Sequence, residues 1–194
     1  MHIDHVIIAT ADLDAAARRL SGEHGLETAG GGRHLGIGTE NRIVPLGPGY
    51  LEVIAVVDRD EADRTPLGRA LAERITATAE GLMAWVVAVP DALAEAGRTG
   101  AEVSTIERAG LKATLAGMAT AMAEPTLPFF IHRDDGIEDP GAGGTHGGIT
   151  WVEVAGDERR LRAWLGNGEL PVRVTPGSPA VRAIGIGGRR FGYP

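Results

Sequence analysis

The sequence predicts an α+β fold made of two β-α-β-β-β units in tandem within one compact domain. The first observation is a complete strand-helix-strand-strand-strand pattern in residues 2–58. The second is the return of this pattern: aligning Asp12 with Asp91 places "HVIIATADL" against "AWVVAVPDA" at an offset of 79 residues. The third is the length of 194 residues, which suffices for one domain with a substantial core. Two such units must stack or pair, since each alone leaves one sheet face uncovered.

The first unit begins with a strand rich in β-branched residues at 2–9. Asp12 is a typical N-cap, and the apolar spacing after it ends in a glycine, so a helix follows. The segments 33–39 and 41–47 flank a short polar turn and predict two strands. The run "YLEVIAVVD" at 50–58 predicts the last strand of the unit.

A helix is predicted to link the two units, because Pro66 lies near its start and apolar residues follow at helical spacing. The second unit then starts with the strand "LMAWVVAV" and a helix that begins near Asp91 and ends at a glycine. Further strands are predicted at 104–109, 111–118 and 127–134.

The sequence of the remaining residues predicts an exposed, turn-rich loop followed by a truncated third copy of the unit, "GITWVEVAGDERRLRAWLG". Two strands, "LPVRV" and "AVRAIGI", are predicted after it. The organisation expected from these segments is a first module, a linking helix, a second module and a loop with the truncated extension, at residues 1–60, 61–80, 81–135 and 136–194.

Composition excludes several classes of function. The formal net charge is −7 and no window concentrates Lys or Arg, which argues against nucleic acid as a partner. The sequence has no cysteine, so His, Asp and Glu are the metal ligands that remain. The amino-terminal segment lacks the features of a signal peptide, and no apolar run approaches the length of a membrane span. We therefore expect a cytoplasmic protein without a membrane partner.

Glu52 is the most unusual residue of the chain, because it stands at the centre of the apolar run "YLEVIAV". On a strand, Glu52 shares a face with Tyr50 and Ile54, so its carboxylate is expected to point into an apolar environment. An unpaired carboxylate there costs several kcal/mol. A bound cation, a substrate contact, an edge-strand position or a partner such as Arg42 would each account for it.

His5 is the corresponding candidate on the first strand, where alternation places it on one face with Ile3 and Ile7. A core histidine hydrogen-bonded to a neighbour and a metal ligand are both open interpretations of it.

The block that carries a family resemblance combines "IDHVIIATADLDAA", "GYLEVIAV" and "LPFFIHRD" with His34, Gly38-Thr39, Asn41-Arg42, Pro45-Leu46-Gly47 and Tyr50-Leu51-Glu52. It resembles the vicinal oxygen chelate superfamily, which includes glyoxalase I, extradiol dioxygenases and fosfomycin-resistance proteins, and more closely its glyoxalase-like domain branch. The likeness covers roughly residues 2–135. It implies tandem βαβββ modules that form a strongly curved, half-open mixed sheet barrel with flanking helices.

The resemblance also implies a divalent metal ion in the hollow of the sheet, with one ligand from the first strand of a unit and one from its last. By position these are His5 and Glu52, and His132 is the third candidate. The second unit has Ala84 where its own imidazole would stand, so the repeat supplies no fourth ligand of that kind. Zn, Fe, Mn and Ni all suit such a ligand set. Glu52 is also the candidate catalytic residue, as a proton shuttle.

Candidate substrate-binding residues follow from the same arrangement, and each has an ordinary structural alternative. His34 and Asn41 flank the Gly38-Thr39 turn, where turn chemistry is the alternative. For the aromatic residues the alternative is core packing, and for the histidine of the turn-rich loop it is a solvated side chain. These remaining candidates are Tyr50, Trp85, Phe130 and His146.

Two classes of function therefore remain, beside a third possibility that the sheet only scaffolds a protein interaction. The first is a divalent-metal-dependent enzyme of isomerase, lyase or dioxygenase type that acts on a small oxygen-bearing substrate. The alternative is a metal-free protein that binds and sequesters a small molecule, as drug-resistance proteins of this architecture do. A homodimer is the default expectation for the assembly.

Overall fold

The computed structural model describes residues 1–108, 111–134 and 136–193. The first unit comprises β1 (His2–Thr10), α1 (Leu13–His24), β2 (Ala29–His34), β3 (Thr39–Pro45) and β4 (Tyr50–Val56). Two helices follow, α2 (Arg59–Ala62) and α3 (Pro66–Thr78). The second unit comprises β5 (Glu80–Ala88), α4 (Ala92–Thr99), β6 (Val103–Arg108), β7 (Leu111–Ala116), α5 (Met118–Ala123) and β8 (Phe129–Arg133). The last segment comprises β9 (Ile149–Ala155), α6 (Glu158–Leu165), β10 (Val172–Thr175), β11 (Ala180–Ile186) and β12 (Arg189–Phe191).

The ends of the unit helices follow from the residues that the sequence singles out. The Asp12 carboxylate accepts a hydrogen bond from the Ala15 N–H, and α1 ends at Gly25, whose φ of 68° suits glycine. Asp91 caps α4 in the same way by accepting from two backbone N–H groups. Pro66 lies in the first turn of α3, where its missing N–H costs nothing. The predicted caps of α1 and α4 are confirmed, whereas the short helices α2 and α5 carry no pattern long enough to predict them.

The two units form one mixed eight-stranded sheet with the strand order β2-β3-β4-β1-β5-β8-β7-β6. Within each half the first strand pairs in parallel with the last, β1 with β4 and β5 with β8. The halves join through the antiparallel pair β1–β5. The sheet curls into a half-open barrel with flanking helices, as the sequence predicts. The predicted strand at 104–109 corresponds to β6, and Ala109 lies outside the described residues.

The last segment forms a four-stranded sheet with the order β10-β9-β11-β12. This order differs from that of the first unit, because β9 lies between β10 and β11 while β1 lies beside β4. The small sheet and α1, α4 and α6 enclose one hydrophobic core with one face of the large sheet, and its central members are Trp85, Phe130, Val152, Leu161 and Ile184. Full burial of each large side chain there contributes about 1.5–3 kcal/mol.

A second core lies on the opposite face of the large sheet, where α3 and α5 pack. It includes Ile7, Ile54, Leu71, Val86 and Leu115. The large sheet is therefore apolar on both faces, and a polar group on either face requires a specific partner. None of the helices in the described part of the chain has the length and apolarity needed to span a bilayer.

A β-bulge in β1 sets the position of the candidate site. The pairing of β1 with β5 shifts between Ile3 and His5. Ile3 therefore packs with Val6 in the core beneath the small sheet, while His5 and Ile7 face the opposite side. The prediction that Ile3 and His5 share a face is wrong, because strict alternation does not hold across a bulge.

Candidate functional site

A cavity of about 320 Å³ opens on the second face of the large sheet, between its two halves. The first half supplies its polar wall, made of His5, His34, Asn41, Tyr50 and Glu52. The second half supplies mostly apolar groups: Ile106, Ala113, Leu115, Met118, Phe129 and Ile131. Arg133, at the end of β8, is the charged contribution of the second half. The first half also lines the cavity with Ile7, Ile37 and Ile43, so most polar groups lie on one side of an otherwise apolar cavity.

Glu52 lies on the polar wall with only 13% of its side chain exposed. Its Oε1 accepts a hydrogen bond of 2.6 Å from the Asn41 amide, and its Oε2 lies 3.4 Å from Nε2 of His5. Burial alone would raise the pKa of Glu52, but His5, His34 and Asn41 outweigh it and lower the pKa to about 2. Glu52 is therefore a carboxylate near neutral pH. Arg42, a possible partner in the sequence, pairs instead with Asp14.

His5 is buried between two carboxylates. Its Nδ1 donates a hydrogen bond of 2.5 Å to Asp4, and its Nε2 faces Glu52. Its ring stacks on Tyr50 with the centroids 4.5 Å apart. Burial lowers the pKa of His5, yet Asp4 and Glu52 more than compensate, so that the pKa is raised above its ordinary value. Protonation of His5 is therefore easier than that of an ordinary histidine.

Asp4 and Arg133 are functional candidates that the sequence did not indicate. Arg133 donates two hydrogen bonds to the Asp4 carboxylate and one of 3.1 Å to the Tyr50 hydroxyl. The pair joins the first strand of one half to the last strand of the other. Burial raises the pKa of Asp4, but Arg133 and His5 outweigh it and hold the pKa well below its usual range. The Arg133 side chain is 13% exposed, and its Nε has no hydrogen-bond partner among the described residues.

His34 and Asn41 lie on the hairpin of β2 and β3 and both line the cavity. His34 Nδ1 is 2.9 Å from the Thr39 hydroxyl, and its Nε2 is 3.9 Å from Glu52. Asn41 accepts from the Gly32 N–H with its Oδ1 while its amide nitrogen donates to Glu52. Each of these residues therefore has a hydrogen bond within the hairpin and a contact with the buried Glu52 carboxylate, and a role in substrate binding stays a prediction.

His132 lies on the opposite face of β8 from the cavity. Phe129, Ile131 and Arg133 alternate into the cavity, so His132 points the other way, and its Nδ1 is 3.3 Å from the Val89 carbonyl. The structure does not bring it near His5 or Glu52.

The donor set on the cavity therefore does not fit a metal centre with three protein ligands. His5 Nε2 and Glu52 Oε2 are 3.4 Å apart, a spacing that two ligands of one ion could take. Within the described residues, however, no group of three or more His, Asp or Glu side chains could hold a metal ion. The guanidinium of Arg133 also lines this cavity, which opposes a second cation there.

Trp85 and Phe130 are not on the cavity, because alternation sends both to the core beneath the small sheet. Trp85 donates its indole N–H to the Thr126 carbonyl at 3.2 Å, and Phe130 stacks on Trp164. Both have the core-packing role that was the alternative interpretation. Phe129, the neighbour of Phe130, lines the cavity.

The turn-rich loop contributes to the cavity through Pro140 rather than through His146. The Gly47 N–H donates to the Gly141 carbonyl at 3.0 Å, so the loop is held against the β3–β4 turn. His146 lies at a different cavity of about 350 Å³, beside His24 and the β11–β12 turn. The two sites are separate, and His146 has no contact with the polar wall around Glu52 in the structure.

A larger open groove of about 700 Å³ lies between α4 and α6. Its charged side chains include Arg98 and Arg160, which form ion pairs with Glu95 and Glu124. These exposed pairs are ordinary surface contacts. The cavity of about 320 Å³ is more enclosed, and it places the imidazole of His5 opposite the carboxylate of Glu52. It is therefore the candidate functional site.

Solved structures with the same fold are similar to the chain at low sequence identity. A hypothetical protein from Staphylococcus aureus is 15% identical with a TM-score of 0.70, and the match covers 95% of this chain and 90% of that one. A Streptomyces coelicolor methylmalonyl-CoA epimerase variant in complex with 2-nitronate-propionyl-CoA is 17% identical with a TM-score of 0.52, over 71% of this chain and 97% of that one. The Mycobacterium tuberculosis methylmalonyl-CoA epimerase is 15% identical with a TM-score of 0.50, over 68% and 86% of the two chains. At these identities the likeness concerns the fold.

No curated protein matches the chain. The family model described as "Glyoxalase-like domain" matches residues 3–167, which is most of the sequence. The paired units, the curled mixed sheet and the cavity between its halves agree with that match. The chain belongs to the glyoxalase-like domain family and has the fold of the vicinal oxygen chelate superfamily.

Proposed function

We propose that the protein is an enzyme that moves a proton at a carbon atom next to a carbonyl group of a small molecule. The observation that carries this proposal is the opposed pair on the cavity wall, with Nε2 of His5 and Oε2 of Glu52 3.4 Å apart. An acid and a base that face the same cavity can act on neighbouring atoms of one bound molecule. The reaction belongs to the isomerase or lyase type.

Glu52 has the role of the base. Its Oε1 is held by Asn41 at 2.6 Å, whereas the contact of its Oε2 with His5 is longer than a strong charge-assisted bond. Oε2 is therefore the oxygen that takes the proton from the carbon next to the carbonyl. The electron pair of the broken C–H bond moves toward the carbonyl oxygen and forms an enolate.

His5 has the role of the acid. Its Nε2–H points at the polar side of the cavity, where it can donate to the carbonyl oxygen as negative charge develops there. Proton transfer from Nε2 gives the enol, and return of the protons gives a rearranged or epimerised product. Asp4 fixes the orientation of the ring through Nδ1 and stabilises its charged form.

Substrate entry is expected to bring the pKa values of Glu52 and His5 closer together. A pKa of about 2 makes Glu52 a weak base while the imidazolium lies beside it. A carbonyl compound placed between His5 and Glu52 weakens their direct interaction, so the pKa of Glu52 rises and that of His5 falls. Both changes bring the pair closer to the values at which general acid–base catalysis near neutral pH is efficient.

The test is hydrogen–deuterium exchange at carbon. The protein is incubated in deuterium oxide with a panel of small ketones, hydroxyketones and esters, and loss of the proton signal next to the carbonyl is followed by NMR. We expect catalysed exchange with at least one compound and a reduction of about 10²–10⁴-fold for Glu52→Gln. Glu40→Gln is the matched control, because Glu40 lies on β3 beside Asn41 but does not line the cavity. Equal rates for both variants would contradict the proposal.

The second candidate function is metal-free binding and sequestration of a small molecule. The observation that favours it is the apolar wall of the second half, which buries hydrocarbon whether or not chemistry follows. It predicts tight binding without exchange at carbon. Thermal-shift stabilisation by a compound that shows no exchange would therefore support this function instead.

Metal dependence is not part of the proposed mechanism, because His5 and Glu52 are joined by no third suitable ligand among the described residues. A Zn, Fe, Mn or Ni ion would find only His5 and Glu52 as facing ligands among the described residues, with Asp4 behind the imidazole.

A homodimer is a separate proposal. Strands β2 and β6 are the two ends of the large sheet, and each has one partner strand in the described chain. Such edges can pair with a second copy. Light scattering on the purified protein tests this. We also propose a cytoplasmic location, since a chain without cysteine is suited to a reducing compartment.

A further inference from the structure

The cavity selects for a molecule with two unlike sides. Its first-half wall offers the donors and acceptors of His5, His34, Asn41 and Glu52, and its second-half wall offers aliphatic and aromatic carbon. A ligand loses hydration on both sides when it enters. Only a molecule with oxygen on one side and hydrocarbon on the other recovers that loss in full.

The charged groups of the cavity are already paired with one another. Arg133 is bonded to Asp4, and the imidazole of His5 lies between Asp4 and Glu52. A ligand carboxylate would add a buried negative charge beside Glu52, while the guanidinium of Arg133 is already bound to Asp4. A neutral ligand avoids this cost.

The rim of the cavity carries few charged groups. Its partly exposed apolar members include Ile37, Ile106, Met118 and Pro140, beside the polar side chains of His34, Glu52 and Arg133. Among the described residues that line the cavity, Arg133 is the only lysine or arginine, and it is bound to Asp4. A phosphate group of a larger ligand would therefore find no strong partner at this rim.

Size gives the last constraint. A volume of about 320 Å³ lies at the lower end of the range for small-molecule sites. The cavity therefore suits a compact ligand.

We infer that the substrate is a neutral, compact carbonyl compound with a hydrocarbon body, rather than an acyl thioester of coenzyme A. This inference rests on the proposed function and names its substrate class. The carbonyl lies at the His5–Glu52 wall, and the hydrocarbon lies against the second half near Leu115 and Met118.

The first arm of the test measures charge preference with matched probes. Binding of phenylacetamide and phenylacetate, which differ little in shape, is compared by calorimetry together with coenzyme A. We expect the amide to bind at least about tenfold more tightly than the carboxylate, and coenzyme A not to bind. Tighter binding of the carboxylate, or saturable binding of coenzyme A, would overturn the inference.

The second arm measures size preference with a series of neutral 2-alkanones of increasing length. Met118→Ala enlarges the apolar side, so the length that binds best is expected to increase. Met122→Ala is the matched control, because Met122 lies on the same helix and packs on the same core but does not line the cavity. An unchanged optimum in Met118→Ala, or an equal change in both variants, would place the hydrocarbon elsewhere and overturn the inference.

The two proposals fail in different ways. Neutral ketones that bind with the expected size preference but show no exchange at carbon would refute the proposed reaction and leave the ligand class standing. Exchange catalysed on a coenzyme A thioester but on none of the neutral ketones would refute the ligand class and leave the proton chemistry standing.

Discussion

The Asp4 carboxylate accepts a hydrogen bond of 2.5 Å from the imidazole of His5, although the two residues are adjacent on β1. Adjacent side chains of a regular strand point to opposite faces and cannot form such a bond. The bulge between Ile3 and His5 makes it possible. Arg133 then holds the other side of Asp4. One irregular step in the backbone thus links the proposed acid to the far half of the sheet.

Glu52 is predicted to stabilise the fold in a pH-dependent way. Its pKa is lowered from 4.5 to about 2, so the folded state favours the carboxylate. This stability is present above the unfolded pKa and is lost as the pH falls from about 5 toward 2. The difference corresponds to at most roughly 3 kcal/mol.

The measurement is the free energy of unfolding in denaturant over that pH range for the native protein and Glu52→Gln. We expect the two curves to converge in acid, since the variant has no carboxylate to protonate at this position. The curve of unfolding free energy against pH for Glu40→Gln is expected to run parallel to that of the native protein. A constant gap between the native protein and Glu52→Gln would show that the carboxylate is not stabilised by its neighbours.

Arg133 is predicted to stabilise the folded state mainly through its ion pair with Asp4. Arg133→Met keeps much of the apolar length but leaves a buried carboxylate with one partner fewer. Loss of one partner of a buried pair costs about 3–5 kcal/mol. The double variant with Asp4→Asn is expected to cost less than the sum of the single variants, and a double-mutant cycle on unfolding free energies measures this coupling. Additive costs would mean that the pair does not act as a unit.

Arg42→Met is the control for that cycle. Arg42 pairs with Asp14 at an exposed position, so its loss is expected to change the unfolding free energy by no more than about 1 kcal/mol.

Much of the fold follows from local sequence signals. Asp12 and Asp91 mark the starts of two helices because a short acidic side chain can accept from the free N–H groups of the first turn. The repeat of strand and helix then requires two paired units. For the four-stranded sheet the sequence predicts only a truncated third unit and not the strand order. Strand order depends on long-range pairing, which periodicity does not encode.

The candidate site was predictable where strand alternation holds. Glu52 and Tyr50 share a face of β4 as expected, and both line the cavity. His132 and Arg133 show the opposite case: adjacent residues exchange faces when the register changes by one, and local sequence does not fix that register. Asp4 could not be predicted as a partner of His5, because the bulge depends on the pairing of β1 with β5.

Asn41 is predicted to set the protonation of Glu52. Asn41→Asp preserves the shape and the acceptor for the Gly32 N–H but places a second carboxyl beside Oε1. Two carboxylates at one site cannot both ionise easily, so the pKa of Glu52 is expected to rise.

Carbon-13 NMR of the labelled side-chain carboxyl of Glu52 measures this change directly. Asn41→Ala is a useful comparison, because it removes the amide donor without adding charge and should raise the pKa less. A Glu52 titration that is the same in all three proteins would show that residue 41 does not control the acid.

The loop that carries Pro140 is predicted to depend on close backbone contact at Gly144. A Cβ added to Gly144 would overlap backbone atoms of Pro45 and Gly47. Gly144→Ala should therefore detach the loop from the β3–β4 turn and increase amide hydrogen exchange at Gly47, whose N–H bonds to Gly141.

Gly143→Ala is the matched variant in the same loop. Gly143 has a φ of +82° but open space around its Cβ position, so only the backbone strain of about 1–2 kcal/mol is expected. Increased amide exchange at Gly47 in Gly143→Ala but not in Gly144→Ala would contradict the prediction that close contact at Gly144 holds the loop.

Metal binding is predicted to be weak. His5 and Glu52 supply two facing donors, but each is already engaged, by Asp4 and by Asn41, and Arg133 adds a positive charge to the same cavity. The protein is treated with chelator, reconstituted with Zn, Mn, Ni or Fe(II), dialysed and analysed for metal. We expect less than one ion per chain to remain, because two ligands beside a guanidinium give too little binding energy.

Three variants distinguish the outcomes of that experiment. Stoichiometric metal that is lost in both His5→Ala and Glu52→Ala would contradict the metal-free mechanism and establish this pair as ligands. His132→Ala is the control, because its side chain lies on the other face of β8 and should leave any metal at the cavity unchanged. Metal that is lost only in His132→Ala would instead place the ion beside the Val89 carbonyl, outside the cavity, and the proton chemistry of His5 and Glu52 would remain as proposed.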